Sequence, residues 1–421
     1  MRCLYVMPAL PWPPHGGREI SAHYVLRAMV ERGHDVHVFL RDEPDEAERS
    51  VWPLTDKVTL WTGGSTKAFA RLVEKHPEDS QPVNIQNPSL HPRWLRYFGD
   101  TPDIARRVAH VARHIEADYV EGCGLQVLPW MVEVPSGMVR SWLAADEGCW
   151  FHLSQLGQSR SVGRAIRTCY EAVALAAYER SYAAHVDAAF VVSPRDVWAM
   201  RRIGGFRNVI LARNGVDHDR FRPRPNQPIH PLSVLFWGRL DFQPNLDAIH
   251  WFARRVWPRL SARHPDAVWR VIGKHVPVPL HELADRTEGL RLIGPVTDVR
   301  PWIAGASVCV LPMRSGGGIK NKLLEAAAMA RPIVASPRAT RGLMGGDEAS
   351  WVEASSPAGW VEGIERLWSN PSATAALGQR ARVWVVRHHD WSEHARARED
   401  VYESIFLRSA APKRTEQKVA A

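Results

Sequence analysis

The sequence predicts an α/β protein with two αβα units that face a central cleft. The 421-residue chain alternates twice between short apolar runs and longer amphipathic runs, which are typical of buried parallel strands and of the helices that cover them. A segment rich in proline and turn formers, 213–231, separates the two series, as a linker does. The length indicates two or three domains, because one domain usually takes about 100–200 residues. A ligand is expected in the cleft.

The first series predicts an N-terminal Rossmann-like domain over residues 1–212. It opens with a β–loop–α–β unit, which implies a parallel sheet. Gly33 stands where helices often end, and Ser193 suits a helix N-cap. In chain order the predicted elements are strand 2–8, helix 20–31, strand 36–40, helix 103–116, strands 119–120 and 138–143, helix 165–184, strand 188–192 and a helix that begins after Ser193. The segment 41–101 has no clear periodicity.

The second series predicts a C-terminal Rossmann-like domain over residues 232–390. The predicted elements are strand 233–237, helix 245–261, strands 268–272, 290–292, 308–311 and 333–335, and helices 357–368 and 372–388. An amphipathic helix at 391–409 is predicted to cross back to the N-terminal domain, and residues 410–421 to form a flexible tail.

The composition is that of a globular protein, with 45% hydrophobic and 24% charged residues. The first ten residues have the pattern of a buried strand rather than a signal peptide. The five cysteines are scattered without a Cys-x-x-Cys pair, so we expect a cytoplasmic protein without a disulfide framework. The net charge of +9 favours anionic partners. Because no polybasic run stands out, nucleic-acid binding is not expected, whereas peripheral contact with the inner membrane face remains open.

The most informative motif is a glycine run followed by a predicted helix. Gly316-Gly317-Gly318 opens a predicted helix that carries Lys320, Lys322 and Glu325. Glycines at a helix start let backbone N–H groups approach an anion, and the helix dipole favours negative charge there. Lys322 and Glu325 are three residues apart and so share a helix face. The motif predicts a nucleotide diphosphate site, although an ordinary loop with an exposed ion pair has a similar pattern.

Other nucleotide and metal motifs are missing. Neither domain start carries Gly-x-Gly-x-x-Gly after its first strand, and the chain has no Gly-Lys-Ser/Thr. Asp217-His-Asp219 imitates the Asp-x-Asp of metal-dependent sugar transferases, but it lies in the linker without a third ligand. We therefore expect neither a resident cofactor nor a required metal ion.

Taken in order, several motifs together resemble the family-four retaining glycosyltransferases of the GT-B fold, also called group 1 glycosyl transferases. The similarity covers nearly the whole chain and is most specific at 308–336. The motifs are Gly16-Gly17, Asn214-Gly-Val-Asp217 with Phe221, Gly238-Arg239-Leu240, Gly316–Glu325 and Arg331-Pro-Ile-Val-Ala335. The resemblance implies two Rossmann-like domains facing a cleft, and a nucleotide sugar as co-substrate.

The resemblance also implies roles for individual residues. Arg239 would hold the donor diphosphate, and Glu325 would accept hydrogen bonds from the ribose hydroxyls. The amides of Gly317 and Gly318 would face the diphosphate and the donor sugar. Gly16 and Gly17 would let the N-terminal backbone approach donor and acceptor, although a plain tight turn explains these two glycines nearly as well.

The chain also departs from the family pattern. Gly317 stands where many relatives have a second glutamate, and no lysine follows Gly238-Arg239-Leu240 closely. Lys322 or Lys320 is expected to supply that positive charge. The family's N-terminal histidine has no clean match. Asp146 or Glu147 is expected in its place, with Glu121 a poorer choice, so the predicted catalytic set is Arg239, Lys322 and Asp146.

These observations predict a metal-independent retaining glycosyltransferase. It would move a hexose or N-acetylhexosamine from a nucleotide-diphosphate sugar, with UDP-sugars favoured, to a hydroxyl of a saccharide, lipid-linked or small-molecule acceptor. Glycoconjugate, polysaccharide and specialised-metabolite biosynthesis, including aminocyclitol antibiotics, all suit this chemistry. The alternative is a catalytically weak partner protein that binds nucleotide sugars.

Overall fold

A computed structural model describes residues 1–14, 17–63, 101–144, 153, 162–316, 319–343, 345 and 350–410. Most of these residues belong to two parallel β-sheets and the helices that cover them. The α/β class predicted from the alternating pattern is therefore confirmed. None of the helices in these ranges is both long and apolar enough to cross a bilayer.

The N-terminal sheet has seven strands in the order β3-β2-β1-β4-β5-β6-β7, and every neighbouring pair is parallel. Its strands are β1 Arg2–Met7, β2 Asp35–Leu40, β3 Thr59–Thr62, β4 Tyr119–Cys123, β5 Val139–Leu143, β6 Ala188–Val191 and β7 Val209–Leu211. The central strands are short apolar runs and are buried on both faces, as parallel strands usually are.

Helices cover both faces of this sheet. They are α1 Gly17–Glu31, α2 Glu46–Ser50, α3 Thr101–His114, α4 Val162–Tyr182 and α5 Pro194–Arg202, with short 3₁₀ helices at Leu125–Met131 and Ala183–His185. One apolar cluster unites the sheet with α3, Leu125–Met131, α4 and α5. A second cluster, on the other face, unites it with α1 and with the last helix of the chain.

The C-terminal sheet has six parallel strands in the order β10-β9-β8-β11-β12-β13. Its strands are β8 His230–Trp237, β9 Val268–Ile272, β10 Leu290–Ile293, β11 Ala306–Leu311, β12 Ile333–Ala335 and β13 Val352–Glu353. Its helices are α6 Gln243–Arg255, α7 Trp257–Arg263, α8 Val278–Asp285, α9 Arg300–Gly305, α10 Asn321–Ala328, α11 Pro337–Thr340, α12 Pro357–Ser369 and α13 Pro371–His388.

Some element predictions were wrong in detail. The helix expected at 245–261 is two helices, α6 and α7, that meet at Val256. Pro258 explains the break, because proline has no N–H to donate and its ring clashes with the preceding turn of a continuous helix. Strand β3 and helix α2 occupy part of the segment that showed no periodicity.

The last helix, α14 Ser392–Ala410, packs against α1 of the N-terminal sheet. Its Arg398 is fully buried and donates to Glu121 Oε1 from Nη2 at 2.6 Å and from Nε at 3.2 Å. Tyr119 donates to the other carboxylate oxygen at 2.6 Å, and Ser141 donates to it at 3.1 Å. The Arg398 guanidinium also lies 4.2 Å from the centre of the Phe190 ring. The buried carboxylate is thus surrounded by donors.

Replacing Arg398 by alanine should destabilise the protein by about 3–5 kcal/mol, because Glu121 would keep a buried charge without its cation. Urea unfolding followed by circular dichroism measures this loss. Arg396→Ala is the matched control, since Arg396 lies on the same helix with a side chain 55% exposed, and it should change stability by less than about 0.5 kcal/mol. Equal stability of the two variants would contradict the role given to Arg398.

Candidate donor-binding site

The candidate site lies at the carboxyl ends of β8 and β11, which are neighbours in the C-terminal sheet. The chain leaves β8 for β9 on one side, whereas β11 leads to β12 on the other. Such a switch point leaves a crevice outside the strand ends, where open α/β sheets bind ligands. The loops that enter the crevice lead to the first turns of α6 and α10.

Lys322, on the first turn of α10, carries its charge into this crevice. Its Nζ donates to Asn245 Oδ1 at 2.7 Å and lies 4.2 Å from the centre of the Phe236 ring. Asn245 in turn donates from Nδ2 to the Arg239 carbonyl at 2.7 Å. Burial lowers the pKa of Lys322 to about 7, and nearby Lys320 contributes in the same direction. The ammonium is therefore partly dehydrated, and its direct contacts, Asn245 and the Phe236 ring, are neutral, whereas the charge of Glu325 acts against the lowering.

Gly238 makes this arrangement sterically possible. Its φ of +146° lies in the region that glycine tolerates and other residues rarely adopt. A Cβ there would lie 3.0 Å from Lys322 Nζ and 3.1 Å from Asn245 Nδ2. The glycine after β8 thus leaves room for the lysine and asparagine side chains.

Glu325 lies one helical turn after Lys322 and accepts from Trp237 Nε1 at 2.6 Å through Oε2. Burial raises the pKa of its carboxyl, although the Trp237 hydrogen bond and the Lys322 charge act in the opposite direction. Within the described part of the chain, its second oxygen, Oε1, has no hydrogen-bond donor. That oxygen can accept from a ligand hydroxyl.

Lys320 precedes helix α10 instead of belonging to it. The prediction that the helix carries Lys320 was wrong, because the residue occupies the N-cap position with an extended backbone and the helix begins at Asn321. Burial lowers the pKa of Lys320 to about 8, and the neighbouring charge of Arg338 contributes. Gly317 and Gly318 lie outside the described residues.

Arg239 lies on the loop after β8. Its side chain is 52% exposed and forms an ion pair with Asp241 at 2.9 Å. The guanidinium also lies 5.5 Å from the centre of the Phe242 ring. The Arg239 carbonyl accepts from Asn245 at the crevice. The Arg239 side chain instead pairs with Asp241, which is itself about half exposed.

Comparison with known proteins agrees with this geometry. Residues 231–370 match the family model described as glycosyl transferases group 1. No curated protein matches the chain. The fold resembles sucrose-phosphate synthase from Thermosynechococcus elongatus, with a TM-score of 0.66, 15% identity and coverage of 97% of this chain and 100% of that one.

Two further structures show the same likeness. Anabaena HepE in complex with UDP gives a TM-score of 0.63 at 14% identity, covering 96% of this chain and 100% of that one. A point mutant of Staphylococcus aureus TarM, in complex with fondaparinux, α-GlcNAc-glycerol and UDP, gives 0.69 at 9% identity with coverage of 96% and 100%. The chain has the GT-B fold, and its residues 231–370 are similar to group 1 glycosyl transferases. The predicted family resemblance and fold are thereby confirmed.

The N-terminal half of the GT-B cleft is less completely described. Gly16, Asp146 and Glu147 lie outside the described residues, and Gly17 is the first residue of α1. Glu121, the weaker alternative for the acceptor side, is fully buried in the ion pair with Arg398. It is therefore a structural residue and does not reach a ligand.

Asn214 joins the two halves of the GT-B fold, a role that the sequence did not reveal. The buried amide donates from Nδ2 to Asn321 Oδ1 at 3.1 Å and accepts from Ser21 Oγ at 3.2 Å. It thus connects the linker with the first turn of α10 and with α1. Asn245 and Trp237 were missed as well, and their only sequence signal was their position around Gly238-Arg239-Leu240.

Asp217 has a structural partner instead of a metal site. It accepts from Arg27 Nη1 at 2.6 Å. Among the described residues, no group of three or more His, Cys, Asp or Glu side chains is placed to hold a metal ion.

Gly238→Ala should weaken the binding of UDP, because the added methyl group would displace Lys322 or Asn245. We expect a rise in Kd of about tenfold or more, corresponding to the loss of one charge-assisted hydrogen bond. Isothermal titration calorimetry measures it. Gly137→Ala is the control, since nothing lies within 4 Å of a Cβ at that turn; an equal effect of both changes would rule out the steric role.

Binding of UDP should also depend on the protonation of Lys322. Its pKa of about 7 means that the ammonium is present below pH 7 and is lost from the free protein above it. The affinity should therefore fall by up to about tenfold per pH unit between about pH 7 and about pH 9. Calorimetry over this range measures the slope, and Lys322→Met should bind weakly with a smaller slope, which Lys320, with a pKa of about 8, would leave. A flat wild-type profile would contradict the assignment.

Proposed function

We propose that the protein is a retaining glycosyltransferase that transfers a hexose or N-acetylhexosamine from a nucleotide-diphosphate sugar to an acceptor hydroxyl. The observation that carries the proposal is the pairing of a dehydrated ammonium with a nearby carboxylate at the switch point. Lys322 suits a diphosphate, and Glu325 Oε1 suits a ribose hydroxyl. Both ligand groups occur in one nucleoside diphosphate. UDP is favoured as the nucleotide, which is supported by the UDP complexes of the structurally similar HepE and TarM.

In the proposed reaction, the bond between the anomeric carbon and the diphosphate oxygen breaks while the acceptor oxygen bonds to that carbon. Negative charge grows on the leaving diphosphate. Lys322, Lys320 and Arg239 would stabilise this charge, which is an electrostatic task that a preorganised site performs well. The positive side chains are the reason to propose that the reaction needs no metal ion.

The acceptor proton requires a base. We propose that the leaving phosphate takes the proton, with Asp146 as the N-terminal residue that positions the acceptor. Closure of the two domains would exclude water and limit donor hydrolysis. The acceptor is proposed to be a saccharide, a lipid-linked saccharide or a small hydroxylated metabolite, in a cytoplasmic reaction that can include peripheral membrane contact.

Glu325→Gln should weaken nucleotide binding without loss of fold. The amide oxygen can still accept from Trp237, but the charge-assisted bond to a ribose hydroxyl is lost, which should raise the Kd for UDP by about 10- to 100-fold. A thermal-shift screen with UDP, GDP and ADP, followed by calorimetry, measures the effect. Glu362→Gln on the exposed face of α12 is the control. Unchanged UDP affinity in the Glu325 variant would remove this residue from the site.

Arg239→Ala should lower turnover by about two to three orders of magnitude, as the loss of one charge-stabilising donor does. Release of UDP from UDP-sugars, with and without acceptor, measures turnover. Arg254→Ala removes an exposed arginine from the last turn of α6 and should leave turnover unchanged. Nucleotide binding by the wild-type protein without turnover of any nucleotide sugar would favour a binding partner over an enzyme.

A further inference from the structure

An apolar stripe runs along the solvent side of helix α4. Val162, Ile166, Tyr170 and Val173 are exposed by 77%, 65%, 57% and 62%. Their spacing of four, four and three residues places them on one helix face. The opposite face is buried against the sheet. The exposed face of a helix on a globular protein is normally polar, so this stripe is unusual.

Helix α5 adds an exposed apolar side chain on the same side of the sheet. Both helices cover the same face of the N-terminal sheet. The two are close at their ends, since the Arg180 side chain lies 3.5 Å from the Cβ position of Gly205. On α5, Trp198 is 54% exposed. We call the exposed surface formed by Val162, Ile166, Tyr170, Val173 and Trp198 the α4–α5 face.

The charges around this face are predominantly positive. Six arginines are exposed along or just after the two helices: Arg167, Arg180, Arg195, Arg201, Arg202 and Arg207. The described acidic side chains of the same region are paired with arginines, hydrogen-bonded or buried. Glu171 pairs with Arg167, Asp187 with Arg140, Asp196 accepts from Ser193 Oγ, and Glu179 is buried.

An apolar surface with Trp and Tyr, surrounded by arginines, has the chemistry of a bilayer interface with anionic lipids. Aliphatic side chains enter the acyl boundary, aromatic rings lie at headgroup depth, and arginines attract the headgroup phosphates.

The α4–α5 face is also near the cleft. Helices α4 and α5 follow β5 and β6 and so begin at the carboxyl ends of those strands, the edge on which the N-terminal half of the cleft opens. Pro194, the first residue of α5, lies 4.0 Å from the Cβ position of Gly342 in the C-terminal domain. A bilayer on the α4–α5 face would therefore lie beside the mouth of the cleft.

We propose that the α4–α5 face docks on an anionic membrane surface and presents the cleft to an acceptor held in that membrane. This inference rests on the proposed transferase function for the nature of the acceptor. The docking itself depends only on the residues of the face.

Co-sedimentation with vesicles tests the docking. The full chain should sediment with vesicles of phosphatidylcholine mixed with phosphatidylglycerol, and much less with phosphatidylcholine alone. The double variant Ile166→Ser/Val173→Ser should bind the anionic vesicles about tenfold or more weakly, because two apolar side chains no longer leave water. Val278→Ser/Val383→Ser is the matched control, since these valines are 70% and 68% exposed elsewhere. It should bind like the wild type.

Separate variants test whether docking requires the positive charge around the face. Arg201→Gln and Arg202→Gln should each weaken binding to anionic vesicles by about fivefold, as expected for one arginine near a charged surface. Added salt should have the same effect.

Wild-type binding by the Ile166→Ser/Val173→Ser variant would overturn the proposal. The proposal would also be overturned if the wild type bound no vesicles and formed a dimer in analytical ultracentrifugation that this variant does not form. The face would then join two copies of the chain. UDP binding is measured on the same proteins. Vesicle binding without UDP binding would refute the transferase function alone, whereas UDP binding without vesicle binding would refute the docking alone.

Discussion

The buried ion pair between Glu121 and Arg398 determines how the two domains are joined. It holds the last helix on the N-terminal sheet, so the chain crosses between the domains twice, once near Asn214 and once near Trp391. The crossings touch: His389 donates to the Asn214 carbonyl at 2.8 Å, and a Cβ on Gly215 would lie 2.8 Å from the Trp391 nitrogen. Two chain segments in contact resist twisting better than one. The two domains are therefore joined by a double connection.

The candidate donor site differs from this ion pair in its electrostatics. Glu121 and Arg398 compensate each other, whereas Lys322 is held partly dehydrated against the neutral Asn245 and the Phe236 ring. Burial lowers the pKa of this lysine and raises that of Glu325. Charged side chains that have lost water raise the free energy of the empty site. A ligand that supplies hydrogen-bond partners for them lowers it again. In the proposed complex, a phosphate beside the ammonium and a hydroxyl beside the carboxylate would supply these partners together.

The sequence was informative where local pattern determines structure. Short apolar strands between amphipathic helices predicted both sheets, and the spacing of Lys322 and Glu325 predicted that the two share a helix face. The relation of Lys322 to Gly238 could not be predicted, because residues so far apart in the chain meet only after β8 and β11 pair. For the same reason Glu121 looked like an acceptor-side carboxylate, although Arg398, far along the chain, buries it. The break at Val256 could have been predicted from Pro258.

The central claim is that a nucleotide sugar binds at the switch point between β8 and β11. Hydrogen-exchange mass spectrometry of the full chain, with and without saturating UDP, tests it most directly because it locates the ligand without a mutation. We expect slower exchange in the loop between Trp237 and Asn245 and in the first turn of α10, which begins at Asn321. Protection confined to the N-terminal sheet, or no protection with UDP, GDP or ADP, would contradict the account.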